Sequence, residues 1–213
     1  LREGNPLGSF YGYVEKGYDE KGFIVYEDFN NSGSRDAGDK QIIGNPNPKF
    51  TYGFNSSMSY KNFDLTVFIQ GSEGNDLFNL SSQGQNYDFG QALNMTKDIY
   101  LNHWTPENPN AKYPVIKTSS QAQMSNRFVE DGSFLRFKNI QLSYNLPVSQ
   151  LHIKWMKRAQ LYVSGQNLIT FTKYSWYDPE VNSYGSSNSI VQGVDHYVYP
   201  AAKTTTIGLR VGF

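Results

Sequence analysis

The chain has 213 residues with 19 Lys and Arg against 19 Asp and Glu, and a formal charge of zero argues against nucleic acid as a partner, which would require a basic surplus. Aromatic residues make up 15% of it and no stretch approaches the roughly 20 apolar residues of a membrane helix, so a disordered chain and a helical membrane bundle are excluded while a membrane β-barrel is not. Cysteine is absent, which removes disulfides, thiolate metal sites and cysteine nucleophiles. The chain opens on Leu1 without an initiator Met or a signal segment, and is expected to be a processed form or a piece of something longer.

Residues 1–48 are rich in Gly, Asn and Tyr, with one strand expected at Phe23 to Glu27. Period-two patterning then takes over. Phe50, Tyr52, Phe54, Ser56, Met58 and Tyr60 share one face of a strand and Thr51, Gly53, Asn55, Ser57 and Ser59 the other. After Lys61-Asn62 the pattern resumes with Phe63, Leu65, Val67 and Ile69, which predicts a hairpin with a very short turn. Between Leu93 and Trp104 apolar residues fall at helical spacing, and Thr105-Pro106 is expected to stop that helix. A third strand is expected from Phe134 to Leu146, ended by Pro147, which cannot donate to a ladder. A fourth runs from Ala159 to Phe171, with a bulge placed near Ser164-Gly165 to account for its poor alternation. In the last, Thr205, Ile207, Leu209, Val211 and Phe213 alternate with polar or small residues.

The connections alternate in length. Strands one and two, and three and four, are joined closely, whereas Ser72 to Ser133 and Thr172 to Lys203 separate the others. Short turns on one side and long loops on the other are the layout of an outer-membrane barrel, and soluble domains seldom carry loops beyond about 15 residues. The alternation alone also suits a soluble sheet with one face on a core.

Several segments resemble SusC/RagA-type, TonB-dependent outer-membrane transporters. These are Gly44-Asn45-Pro46-Asn47-Pro48-Lys49-Phe50-Thr51-Tyr52-Gly53-Phe54, the strand Phe63 to Gly71, and Phe128-Val129-Glu130-Asp131-Gly132-Ser133-Phe134-Leu135-Arg136-Phe137-Lys138-Asn139-Ile140. Gly165-Gln166-Asn167-Leu168, Tyr174, Asp178-Pro179-Glu180 and the terminal Phe213 follow in family order. The resemblance implies an all-β fold: an antiparallel meander of about five transmembrane strands, the C-terminal part of an outer-membrane barrel of about 22 strands, with long extracellular loops. It divides the chain into an extracellular loop region, 1–48, and barrel strands, 49–213. The implied function is energy-coupled import of glycan or peptide fragments across the outer membrane of a Gram-negative bacterium. The implied partners are the remainder of the barrel and its plug, a SusD-like surface lipoprotein, TonB, the barrel assembly machinery and the lipid bilayer. Phe213 is the expected assembly signal.

Asp28, Asn30, Ser32, Ser34, Asp36 and Asp39 fall at the oxygen-ligand positions of an EF-hand-type loop, with Gly33 at its turn, and are the expected calcium ligands. Ser at the fifth position and Asp at the twelfth depart from the strong form of that pattern, and a solvated turn has the same composition. Trp104, Trp176, Tyr177 and Tyr184, with Tyr87, Phe89, Tyr197 and Tyr199, are loop aromatics suited to stacking on a sugar or holding a partner, and equally to packing loops together. The segment His152, Lys154, Trp155, Lys157 and Arg158 reads as an interfacial anchor or a solvated turn. His103, His152 and His196 lack zinc spacing, the Glu130-Asp131 pair suits a strand end, and no enzyme is expected. The competing reading is a soluble all-β carbohydrate-binding module, which detergent dependence would separate from a transporter.

Overall fold

A computed structural model describes residues 3–87, 94–116, 122–148, 150, 155–184 and 190–213. Phe89, Leu93, His152 and Lys154, and the side chain of Tyr87, lie outside that description. In chain order the strands are β1 (Phe10–Gly12), β2 (Glu15–Tyr18), β3 (Ile24–Tyr26), β4 (Gln41–Gly44), β5 (Phe50–Tyr60), β6 (Phe63–Glu73), β7 (Asp76–Asn79), β8 (Val129–Asp131), β9 (Phe134–Leu146), β10 (Arg158–Thr172), β11 (Val194–Asp195) and β12 (Thr204–Gly212). The helices are α1 (Leu80–Tyr87) and α2 (Lys97–Leu101). Two compact units contain them: one built from Leu1–Pro48, Gly74–Gly132 and Tyr174–Tyr199, the other from Lys49–Glu73, Ser133–Lys173 and Pro200–Phe213. The long connections between strands therefore gather with residues 1–48, and the strands form a unit of their own.

The strand unit is one antiparallel sheet in the order β12-β10-β9-β6-β5, so strands consecutive along the chain are neighbours in space. Its register explains the alternation. Met58 stands opposite Leu65, Leu65 opposite Leu142, Leu142 opposite Val163 and Val163 opposite Ile207. Residues opposite one another share a face, so the apolar sides of all five strands merge into one surface. Among the described residues of the unit no second sheet covers that surface: Phe54 and Leu209 are each 60% exposed and Leu142 43%.

The opposite face is polar and hydrogen-bonded across the sheet. Ser59 donates to Asp64 at 2.6 Å, Asn145 donates to Asp64 at 2.6 Å, Gln160 to Asn145 at 3.0 Å and Arg210 to Gln160 at 3.2 Å. Each of the five strands supplies one member of this chain of bonds, at the end of the sheet where the short connections lie.

The bulge is displaced from its expected position. The pairing slips between Gln166 and Ile169 on β10, where Asn167 takes a φ of 53°, and between Phe68 and Ile69 against β9, which carries Lys138 as an extra residue. That residue changes the parity of β9, so Leu135 and Phe137 share the apolar face with Ile140 and Leu142. Ser164 and Gly165 remain in regular register with Gln141 and Ile140. Gly165 lacks a side chain for a packing reason: a Cβ there would sit 2.3 Å from Leu168.

The other unit is made of short pieces. β1 pairs with β4, β2 with β3, and β7 lies between β8 and β11. Phe10, Phe78, Ile99, Tyr113, Ala122, Phe128 and Val194 form its main core, and Leu77, Tyr174 and Val181 a smaller one. The expected helix at 93–104 is shorter among the described residues. α2 begins after Thr96, whose hydroxyl accepts from the Ile99 N–H, and ends at Leu101. Trp104 has left the helix because its N–H donates to the Tyr113 carbonyl at 2.9 Å, so backbone pairing with 113 replaces helical bonding before Pro106 is reached.

Candidate functional site

The loop from Asp28 to Asp39 gathers the six expected calcium ligands and satisfies them internally. The Asp28 carboxylate accepts from the N–H groups of Ser32 and Gly33 at 2.9 and 2.8 Å, and Gly33 takes the positive φ of 81° that the turn needs. Asp39 is fully buried, accepts from Phe29 N–H at 2.9 Å, and forms a reciprocal capping box with Asp36 over a single 3-10 turn, Ala37–Asp39. Asp36 accepts from the Gly38 N–H, from Asn30 Nδ2 and from the Ser32 hydroxyl, and these donors, Gly38 foremost, hold its carboxyl below the usual range. The oxygen-rich composition suits a hard cation. Asn30 and Ser32 turn donors toward Asp36, and among the described residues no group of three or more His, Cys, Asp or Glu side chains is set to hold a metal.

The loop aromatics are dispersed. The Trp104 ring lies flat on Gly22, where an added Cβ would come within 2.4 Å of it. Trp176 packs on the smaller core, and Tyr177, 72% exposed, meets its ring edge-on at 5.2 Å. Tyr184 packs on the main core, and its hydroxyl lies 3.2 Å from His196 Nδ1. His103 Nδ1 is tied to the Tyr100 carbonyl at 2.7 Å. Trp155 stacks on Phe213 at 5.6 Å, and Phe63 leans on Tyr144 at 4.8 Å, so aromatic pairs mark the short-turn end of the sheet.

Two buried polar clusters escape sequence reasoning. Asp195 is fully buried and accepts from the Tyr174 hydroxyl at 2.7 Å, and burial, aided by that bond, pushes the hydroxyl well above its ordinary range. Arg127 pairs with Glu15 and with the Tyr18 hydroxyl, and burial draws the guanidinium down to about 10. Both fasten distant segments of the loop unit: Tyr174 and Asp195 are 21 residues apart, Arg127 and Glu15 112. Glu130 does similar work, accepting from Asn79 and Ser175.

The sheet, apolar on one side and hydrogen-bonded on the other, joined by close turns at one end and long segments at the other, is a portion of a barrel wall. Known proteins agree. A TonB-dependent receptor of Formosa agariphila, P3, is 37% identical over the whole chain, and the TonB-dependent receptor SusC of Bacteroides thetaiotaomicron is 33% identical over 99% of it. The chain is similar to part of these TonB-dependent receptors. It spans 23% of the length of the Formosa receptor and 20% of SusC. The solved RagAB peptide transporter superposes on 96% of the chain with a TM-score of 0.79 at 27% identity, and the chain covers 22% of that structure. No family model matches the chain.

Proposed function

We propose that the chain is the C-terminal portion of an energy-coupled outer-membrane importer of glycan or peptide fragments in a Gram-negative bacterium. The observation that carries this reading is the five-strand meander with a continuous exposed apolar face and a hydrogen-bonded polar face. An open sheet cannot stand in lipid, so β5 and β12 would pair with the remaining strands of the barrel. The polar face would line the lumen against a plug that contacts TonB. With Phe213 on the periplasmic side, the connections 74–133 and 173–203 and residues 1–48 fall outside the cell. There they would meet a SusD-like lipoprotein, with the exposed Tyr177 available to it or to substrate.

The chain itself contributes no cysteine, and the test starts from a whole transporter in which any cysteine elsewhere has been replaced by serine. In the whole transporter on intact cells, Tyr177→Cys should react with a membrane-impermeant maleimide and Lys61→Cys should not. Deletion of the transporter should abolish uptake of its oligopeptide or oligosaccharide. The reverse labelling pattern, or recovery of the protein in the soluble fraction, removes the reading.

Calcium at Asp28, Asn30, Ser32, Ser34, Asp36 and Asp39 is a separate proposal supported by spacing. To take the ion, Asn30 must turn its amide oxygen inward and Ser32 must release Asp36. A saturable calorimetric signal that Asp28→Ala abolishes would support it, and none up to millimolar calcium would remove it.

A further inference from the structure

Within the loop unit a half-open cavity of about 870 Å³ lies beside the main core, within the range of small-ligand sites. Its walls are apolar, with Phe10, Tyr11, Phe29, Ile42, Met124 and Ile190 among them. Tyr11, Phe29, Ile42, Met124 and Ile190 are all substantially exposed. Among the described residues that line it, Lys40 alone carries charge and none is a carboxylate. The Lys40 ammonium stands 5.3 Å from the Tyr13 ring centroid and enters no ion pair among the described residues.

The loop at 28–39 accounts for this placement. Its hydrogen bonds fix Phe29, through the N–H that Asp39 accepts, and set Gly38 and Lys40 at the cavity wall. Gly8 closes another side at a φ of 81°, where a Cβ would strike the Ile190 carbonyl at 2.8 Å.

We propose that this cavity binds a ligand with an apolar body and a carboxylate, the body against the aromatic and aliphatic walls and the carboxylate on Lys40. An ammonium beside an apolar wall attracts an anion more strongly than it would in bulk water, and among the described lining residues no acid competes for it. The chemistry fits the C-terminal end of an apolar peptide, and a fatty acid shares it. The choice of peptide rests on the import reading, which this inference deepens.

The experiment uses the whole transporter in lipid nanodiscs and titrates three probes by calorimetry: acetyl-Phe-Leu with a free carboxylate, its C-terminal amide, and dodecanoate. The acid peptide should bind at least tenfold more tightly than the amide. Lys40→Met should erase that difference at unchanged melting temperature, Lys40→Arg should retain it, and Ile42→Trp should abolish binding by filling the cavity. Binding of dodecanoate together with failure of the acid peptide would overturn the peptide and assign a lipid carboxylate. Equal binding of acid and amide, no binding of any probe to folded protein, or indifference to both Lys40→Met and Ile42→Trp would overturn the site. In the unaltered transporter, binding of the acid peptide without its uptake defeats the import reading alone, and uptake without binding at this cavity defeats the cavity alone.

Discussion

Gly71 shows how closely single residues are fitted in the sheet. It stands opposite Tyr52, and a Cβ there would lie 2.3 Å from the Phe134 carbonyl oxygen and 2.4 Å from the Tyr52 ring. A tyrosine can swing, but a ladder carbonyl cannot without breaking pairing. Gly71→Ala should therefore cost about 1–3 kcal/mol, the range for overpacking. Gly53→Ala, whose nearest contact would be at 3.7 Å, should cost far less. Denaturant unfolding of the refolded transporter checks the difference. In the loop unit Asp98 accepts from Lys112 at 2.8 Å and Tyr113 at 2.7 Å, and these bonds hold its carboxyl at about 2. Its folded value is lowered from an unfolded value of about 4, so its contribution is complete above about pH 4 and fades as pH falls toward 2. Proton exchange at the α2 amides should accelerate over that window beyond its intrinsic pH trend. Asp98→Asn should remove that added dependence.

At the scale of elements, what was legible depended on pattern length. The five sheet strands run 9 to 15 residues, long enough for alternation to set type and face, and their sequence-based limits fall within about two residues. β1, β2, β3, β4, β7, β8 and β11 have 2 to 4 residues each, too few for a period. Of these only β3 was marked, by its Ile24-Val25-Tyr26 core. α1 was missed because Leu80-Ser81-Ser82-Gln83-Gly84-Gln85-Asn86-Tyr87 offers almost no apolar stripe. The bulge was misplaced because its cause sits on a neighbour: Lys138 on β9 is the extra residue, and β10 follows with Asn167. The cavity was illegible for a similar reason, since Lys40 and Ile190 become neighbours only through loop packing. The facing of the sheet makes its own prediction. Leu142→Arg on the apolar face should cost roughly 2–4 kcal/mol in a bilayer, the range for a basic residue near the midplane. Gln141→Arg, one residue away on the polar face, should cost much less. Equal costs from equilibrium unfolding in lipid would overturn the outward assignment of Leu142.

For the whole molecule the decisive question is closure. A sheet with β5 and β12 as free edges presents unpaired backbone groups, which another strand must cover. Phe213 follows β12, 74% exposed and stacked on Trp155 at 5.6 Å with the planes 22° apart. Trp155 comes from the short β9–β10 connection, so the pair pins the end of β12 to the turn beside it. One role for Phe213 is anchorage: an aromatic at the membrane–water boundary, contributing about 1.5–3 kcal/mol if its ring is buried in the interface. The proposed second role is kinetic. A free terminal strand can add to an exposed edge of the assembly machinery before the barrel shuts, and a terminal ring would fix which end engages. The two roles predict different losses. Deleting Phe213 from the whole transporter removes both, whereas Trp155→Ala removes the stacking partner and leaves the terminal ring. If recognition dominates, the deletion should lower the amount of heat-modifiable barrel in cells by tenfold or more while shifting the melting temperature of detergent-refolded protein by only a few degrees. Trp155→Ala should then cause a similar melting shift with near-normal assembly. Equal assembly losses in the two variants, matching their losses of stability, would leave anchorage as the whole account of Phe213.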